Sequence, residues 1–75
     1  MKLSTFINII QTQLNVESVK GTDSFKELGA DSLDMVELVT NIEDELGIDL
    51  PDEIVDEDTV AKFYGMILKR LNGVG

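Results

Sequence analysis

The stretch "SLDMVELVTNIEDEL", residues 32–46, decides how this chain folds. Its apolar residues recur at spacings of three and four, the period of an amphipathic helix, and Gly47 follows as a C-terminal stop. Laid out at about 100° per residue from Asp34, the side chains of Leu38, Ile42, Met35, Leu46 and Val39 fall between about 40° and 140°. That arc predicts the buried face. Val36 at about 200° and Leu33 at about 260° lie outside it, interleaved with Glu37, Thr40, Glu43 and Asp44. Two apolar side chains therefore stand on an acidic face. Single exposed apolar residues are ordinary on a solvated helix, but they also mark docking surfaces. Charge separates the two readings: between Glu27 and Ala61 there are thirteen acidic residues and no Lys or Arg. A merely solvated face usually mixes signs, so this one reads as a surface for a basic partner.

Working outward, Leu3, Phe6, Ile7, Ile10 and Leu14 repeat at helical spacing and predict a first helix over about 3–14. The segment 15–31 reads as a long structured loop, broken by Gly21, Asp23, Ser24 and Gly29 and anchored by Val16, Val19, Phe25 and Leu28. After the helix over 32–46, Pro51 suits the start of a new turn, and a short helix over about 52–57 is expected to present Ile54 and Val55 inward. Thr59, or Asp58 before it, is expected to cap a last helix over about 59–72, with Val60, Phe63, Tyr64, Ile67 and Leu71 as its buried stripe. Gly65 within that helix costs about 1 kcal/mol relative to Ala. The closing "NGVG" should fray, with Gly73 near the helix C-cap. No run alternates at period two for long enough to make a sheet. The expectation is all-α: one domain over 1–75, a small four-helix bundle of three longer helices and one short one.

Composition narrows the chemistry. Seventy-five residues make a thin core, and no cysteine is present to reinforce it. The formal net charge of −9 lowers stability through self-repulsion, so salt and divalent cations should help the fold. Without His no side chain has an unperturbed pKa near neutrality, and without Cys there is no thiolate or soft metal ligand. Self-contained catalysis is not expected, nor is a specific metal site. The N-terminal "MKLSTFINIIQTQL" has no long apolar region or cleavage site, so a soluble protein without a membrane insert is expected. Nucleic acid and anionic membranes would both repel this acidity.

Ser32 is the one hydroxyl whose position raises a question. It precedes the helical pattern directly, where a serine can accept a hydrogen bond from a first-turn N–H and act as the cap, worth about 1 kcal/mol. No histidine exists to make it a nucleophile, and "GADSL" does not fit the G-x-S-x-G elbow. A helix N-terminus also favours anions, so a phosphate ester on Ser32, placed by a separate enzyme, would be well located.

With that reading in place, "LGADSLDMVELV" (28–39) and "IEDELGIDLPDE" (42–53) closely resemble the acyl carrier proteins of dissociated fatty acid synthesis. The resemblance implies a non-catalytic carrier. It implies that Ser32 is esterified by 4′-phosphopantetheine, delivered from coenzyme A by a phosphopantetheinyl transferase, and that the arm holds the growing acyl chain as a thioester. Asp31 and Asp34 flank that attachment point and would contact the transferase. Leu33, Val36, Glu37, Glu43 and Asp44 match the family's partner-recognition helix, and Thr40 lies on the same partner-facing side. The implied partners are malonyl transferase, ketoacyl synthase, ketoacyl reductase, dehydratase, enoyl reductase and acyltransferases, each met through basic patches by a cytoplasmic monomer.

There are departures from the family pattern. Thr40 stands where such carriers often expose a Met, so one apolar partner contact is absent, and "IVDEDTV" (54–60) makes the short helix more acidic than usual. Polyketide, peptidyl and D-alanyl carriers share the modified serine and form the alternative within the class. From another class, the alternative is an acidic calcium-binding or adaptor module without a prosthetic group. An EF-hand loop started at Asn41 would put Leu46 where Gly is required, inside a helical pattern.

Overall fold

The computed structural model describes residues 1–72, and the fold is all-α as the periodicities predict. Helix α1 spans Leu3–Leu14, α2 spans Ser32–Leu46 and α3 spans Val60–Leu71, with a short 3-10 helix at Asp52–Asp56 between the last two. No strand forms among the described residues, where Ser24 and Thr59 make an isolated bridge. No helix of the described residues is long and apolar enough to cross a membrane.

Each helix buries one stripe. Phe6 and Ile10 of α1, Met35, Leu38 and Ile42 of α2, and Val60, Phe63 and Ile67 of α3 meet in one core with Ile54 of the 3-10 helix. The aromatic centre is ordered by ring packing: Phe6 stacks on Phe63 at 5.6 Å and on Tyr64 at 5.4 Å, while Phe25 meets Phe63 edge-on at 5.3 Å. Tyr64 also donates its hydroxyl to the carbonyl of Met1 at 2.7 Å, which pins the N-terminus. Val39 and Leu46, at one edge of the predicted arc on α2, are half-buried.

The loop between α1 and α2 is held by backbone hydrogen bonds to the start of α3. Phe25 N–H donates to Asp58, Val60 N–H to Asp23 and Ala61 N–H to Gly21, at 3.1, 3.0 and 2.9 Å. Val19 and Phe25 are buried beneath it. Both ends of α2 are delimited by residues at positive φ: Gly29 (φ 90) turns the chain before it, and Gly47 (φ 66) ends it, returning its N–H to Glu43.

Several sequence expectations are corrected. Val55 points outward, 37% exposed, and Ile54 alone fills the core, because a 3-10 helix turns once in three residues and cannot bury two adjacent side chains. Leu71, at the end of α3, is exposed rather than buried. Thr59 is the cap of α3, accepting from Lys62 N–H at 3.3 Å, and the C-cap is Asn72. The fraying expected of the tail and the role given to Gly73 lie outside the described residues.

Candidate functional site

At the start of α2 the structure corrects the reading of Ser32 as a cap. The N-cap is Asp31, whose carboxylate accepts from Asp34 N–H at 2.9 Å, while Asp34 returns its own carboxylate to Asp31 N–H at 3.1 Å. This reciprocal pair is a capping box. Asp31 has extended backbone (φ −102, ψ −176), and its side chain can fold back over the first turn. Ser32, one residue later, already has helical backbone, so its side chain leaves the helix instead. It is exposed, and among the described residues no hydrogen bond uses its hydroxyl. The N–H groups of Ser32 and Leu33 are likewise without a protein acceptor there, as expected of a first turn whose cap serves the third position.

The first turn is tied to α1 as well. Gln13 donates its side-chain amide to the carbonyl of Asp34 at 2.7 Å and accepts from the Asn41 amide at 2.8 Å. This three-residue clasp joins positions 28 residues apart. It ties the first turn and the middle of α2 to α1.

Down the outer face, Leu33 is 64% and Val36 54% exposed, beside the exposed Glu37, Thr40 and Asp44. These are positions that the angular reading separated from the core. Glu43 differs: it is half-buried, and its carboxylate accepts from Leu50 N–H at 2.8 Å, bracing the turn after α2. The Thr40 hydroxyl donates back to the Val36 carbonyl at 3.0 Å. The acidic field is almost uncompensated, since among the described residues the one ion pair, Lys62 with Asp58 at 3.2 Å, lies at the edge of the acidic window.

Other candidates do not gather. No group of three or more His, Cys, Asp or Glu among the described residues is placed to hold a metal ion. Asn41 to Leu46, where an EF-hand loop would start, lies within α2 and is helix. Sequence reasoning missed Asp31 as the cap, although the Asp31-x-x-Asp34 spacing is the signal that finds it. It also missed Gln13, whose partners are distant in sequence.

Known proteins resemble the chain over most of its length. The family model for the phosphopantetheine attachment site matches residues 4–67. An acyl carrier protein of Helicobacter pylori is 42% identical in an alignment covering 73% of this chain and 80% of that protein, and one of Helicobacter acinonychis is 44% identical over the same shares. A crystal structure of an acyl carrier protein from Thermotoga maritima superposes with a TM-score of 0.77 at 29% identity, covering 97% of this chain and 89% of that one. By the extent of these matches, the chain belongs to the phosphopantetheine-attachment family, that of the acyl carrier proteins.

Proposed function

We propose that Ser32 carries 4′-phosphopantetheine and that the chain shuttles acyl groups between the enzymes of fatty acid synthesis. The observation that supports this most is the exposed Ser32 hydroxyl, released from capping by Asp31, within the matched residues 4–67. A phosphodiester there fits the first turn: the free N–H groups of Ser32 and Leu33 and the positive end of α2 both favour an anion. The capping box keeps the backbone at Ser32 in one conformation while the side chain stays accessible, which suits a residue that a transferase must reach. When bound, the arm supplies a terminal thiol that holds the acyl group as a thioester. Leu33, Val36, Glu37, Thr40 and Asp44 meet partners, and Asp31 and Asp34 lie where the transferase must approach.

A carrier of this kind needs weak, fast contacts. Exposed carboxylates steer a basic partner and raise its association rate, while the few apolar side chains keep the buried area small. The partners are a phosphopantetheinyl transferase, the malonyl transferase, ketoacyl synthase, ketoacyl reductase, dehydratase and enoyl reductase of the pathway, and acyltransferases; the compartment is the cytoplasm, and the chain acts as a monomer. Incubation with coenzyme A and a phosphopantetheinyl transferase, followed by fragmentation mass spectrometry, should place the added group on Ser32. Its appearance on Ser4, Ser18 or Ser24, or no mass gain, would defeat the assignment.

A further inference from the structure

Helix α1 carries no charge. Leu3–Leu14 contains no Asp, Glu, Lys or Arg, whereas α2 holds five carboxylates and α3 three basic residues. Its exposed side chains Ser4, Thr5, Asn8 and Thr12 therefore make a neutral polar stripe. A helix face that meets only water usually carries charged residues, and depletion of charge marks the centre of a protein interface. Thr5, Asn8 and Thr12 line one side of a groove of about 610 Å³ between α1 and α2, together with the half-buried Ile9. Gln13 and Asn41, which also line it, bond to each other at 2.8 Å and hold its two walls at a fixed spacing. On the α2 side stand Asp44 and Glu45, both exposed. Neither α1 nor the window from Glu27 to Ala61 supplies a basic residue to offset them.

We infer that the groove between α1 and α2 is a second protein-docking surface, for a partner segment with an uncharged polar centre and Lys or Arg along one edge. The centre meets Thr5, Asn8, Ile9 and Thr12, and the basic edge meets Asp44 and Glu45. A second copy of the chain fits poorly, because it would bring its own Asp44 and Glu45 and a net charge of −9 to the same place. On the angular layout of α2, Asn41 and Glu45 fall at about 340° and 20°, and Ser32 at about 160°, on the opposite flank. A partner in this groove therefore leaves Ser32 open to a second protein, so the chain can be held and served at once. That consequence rests on Ser32 being the attachment point, as proposed above.

The test places the photo-crosslinker benzoylphenylalanine at the exposed Asn8 of the full-length chain in its own cells; the captured protein is then purified and titrated against the unmodified chain by calorimetry. Thr12→Arg, which puts bulk and positive charge into the neutral stripe, and Glu45→Lys, which reverses the rim, should each raise Kd by about tenfold. Both positions are exposed, and circular dichroism checks that each variant is folded. Glu53→Lys, the same change of charge on the 3-10 helix, should stay within about twofold and controls for long-range steering. The crosslinked complex, given coenzyme A and a phosphopantetheinyl transferase, should still gain the phosphopantetheinyl mass. No capture at Asn8, capture of a second copy alone, a Kd within twofold for Thr12→Arg and Glu45→Lys, or an equal effect of Glu53→Lys overturns the docking surface. A complex that cannot be loaded while the free chain can overturns the separation of the two flanks. Failure to load the free chain strikes the Ser32 assignment instead, and the Kd values still decide the groove.

Discussion

The starts of α2 and α3 place a hydroxyl residue one position apart relative to the helix, and that single step separates structure from chemistry. At α3 the threonine is the N-cap: Thr59 accepts from Lys62 N–H, is half-buried, and pairs with Ser24 of the long loop. At α2 an aspartate takes that position, and Ser32 falls at the first helical residue, exposed and with no hydrogen bond among the described residues. A side chain at the N-cap satisfies backbone donors that the helix leaves open, whereas one at the next position does not. The hydroxyl of Thr59 is thus part of the fold, and that of Ser32 is free to be modified.

The comparison can be broken most sharply at Asp31. Asp31→Ala removes the cap and half of the reciprocal pair, and should cost about 1–2 kcal/mol. For a domain of this size that is a fall of about 4–8 °C in Tm per kcal/mol, read by thermal denaturation in circular dichroism. Thr59→Ala should cost about 1 kcal/mol by the same measurement while leaving phosphopantetheine loading intact, since the residue lies away from Ser32 in the proposed site. Loading lost in a folded Thr59→Ala variant would show that the two helix starts do not differ in the way described. Gln13→Ala removes the clasp on Asp34 and Asn41 and should cost about 1 kcal/mol, with faster amide exchange in the first turn of α2 as its signature. Unchanged exchange there would mean that the capping box alone holds the turn. The smallest change is expected at Ser32 itself, where Ala should shift stability by no more than about 0.5 kcal/mol.

The same contrast explains what was legible in the sequence. Met35, Leu38 and Ile42 inside, with Leu33 and Val36 outside, followed from the helical period of α2, because a regular helix converts spacing into direction. Val55 was misplaced because the segment after Pro51 is a 3-10 helix, where adjacent side chains diverge by about 120° and one of the pair Ile54 and Val55 must face outward. The cap was misassigned because Asp and Ser are comparable cap residues, and which of them takes the role depends on where the backbone first becomes helical. Spacing within the Asp31–Asp34 pair carried the answer locally. Glu43 and Gln13 carried none: the partner of Glu43 comes from the turn beyond Gly47, and those of Gln13 from another helix. The serine stood out through its neighbours, while its freedom from hydrogen bonding emerged only from the geometry.

The most direct measurement takes wild type and Ser32→Ala through thermal unfolding and, on the same samples, through intact mass after incubation with coenzyme A and a phosphopantetheinyl transferase. A hydroxyl free of structural duty predicts nearly equal melting temperatures and a mass gain in wild type alone. A mass gain in both proteins, or a loss of stability in Ser32→Ala as large as that in Thr59→Ala, would contradict it.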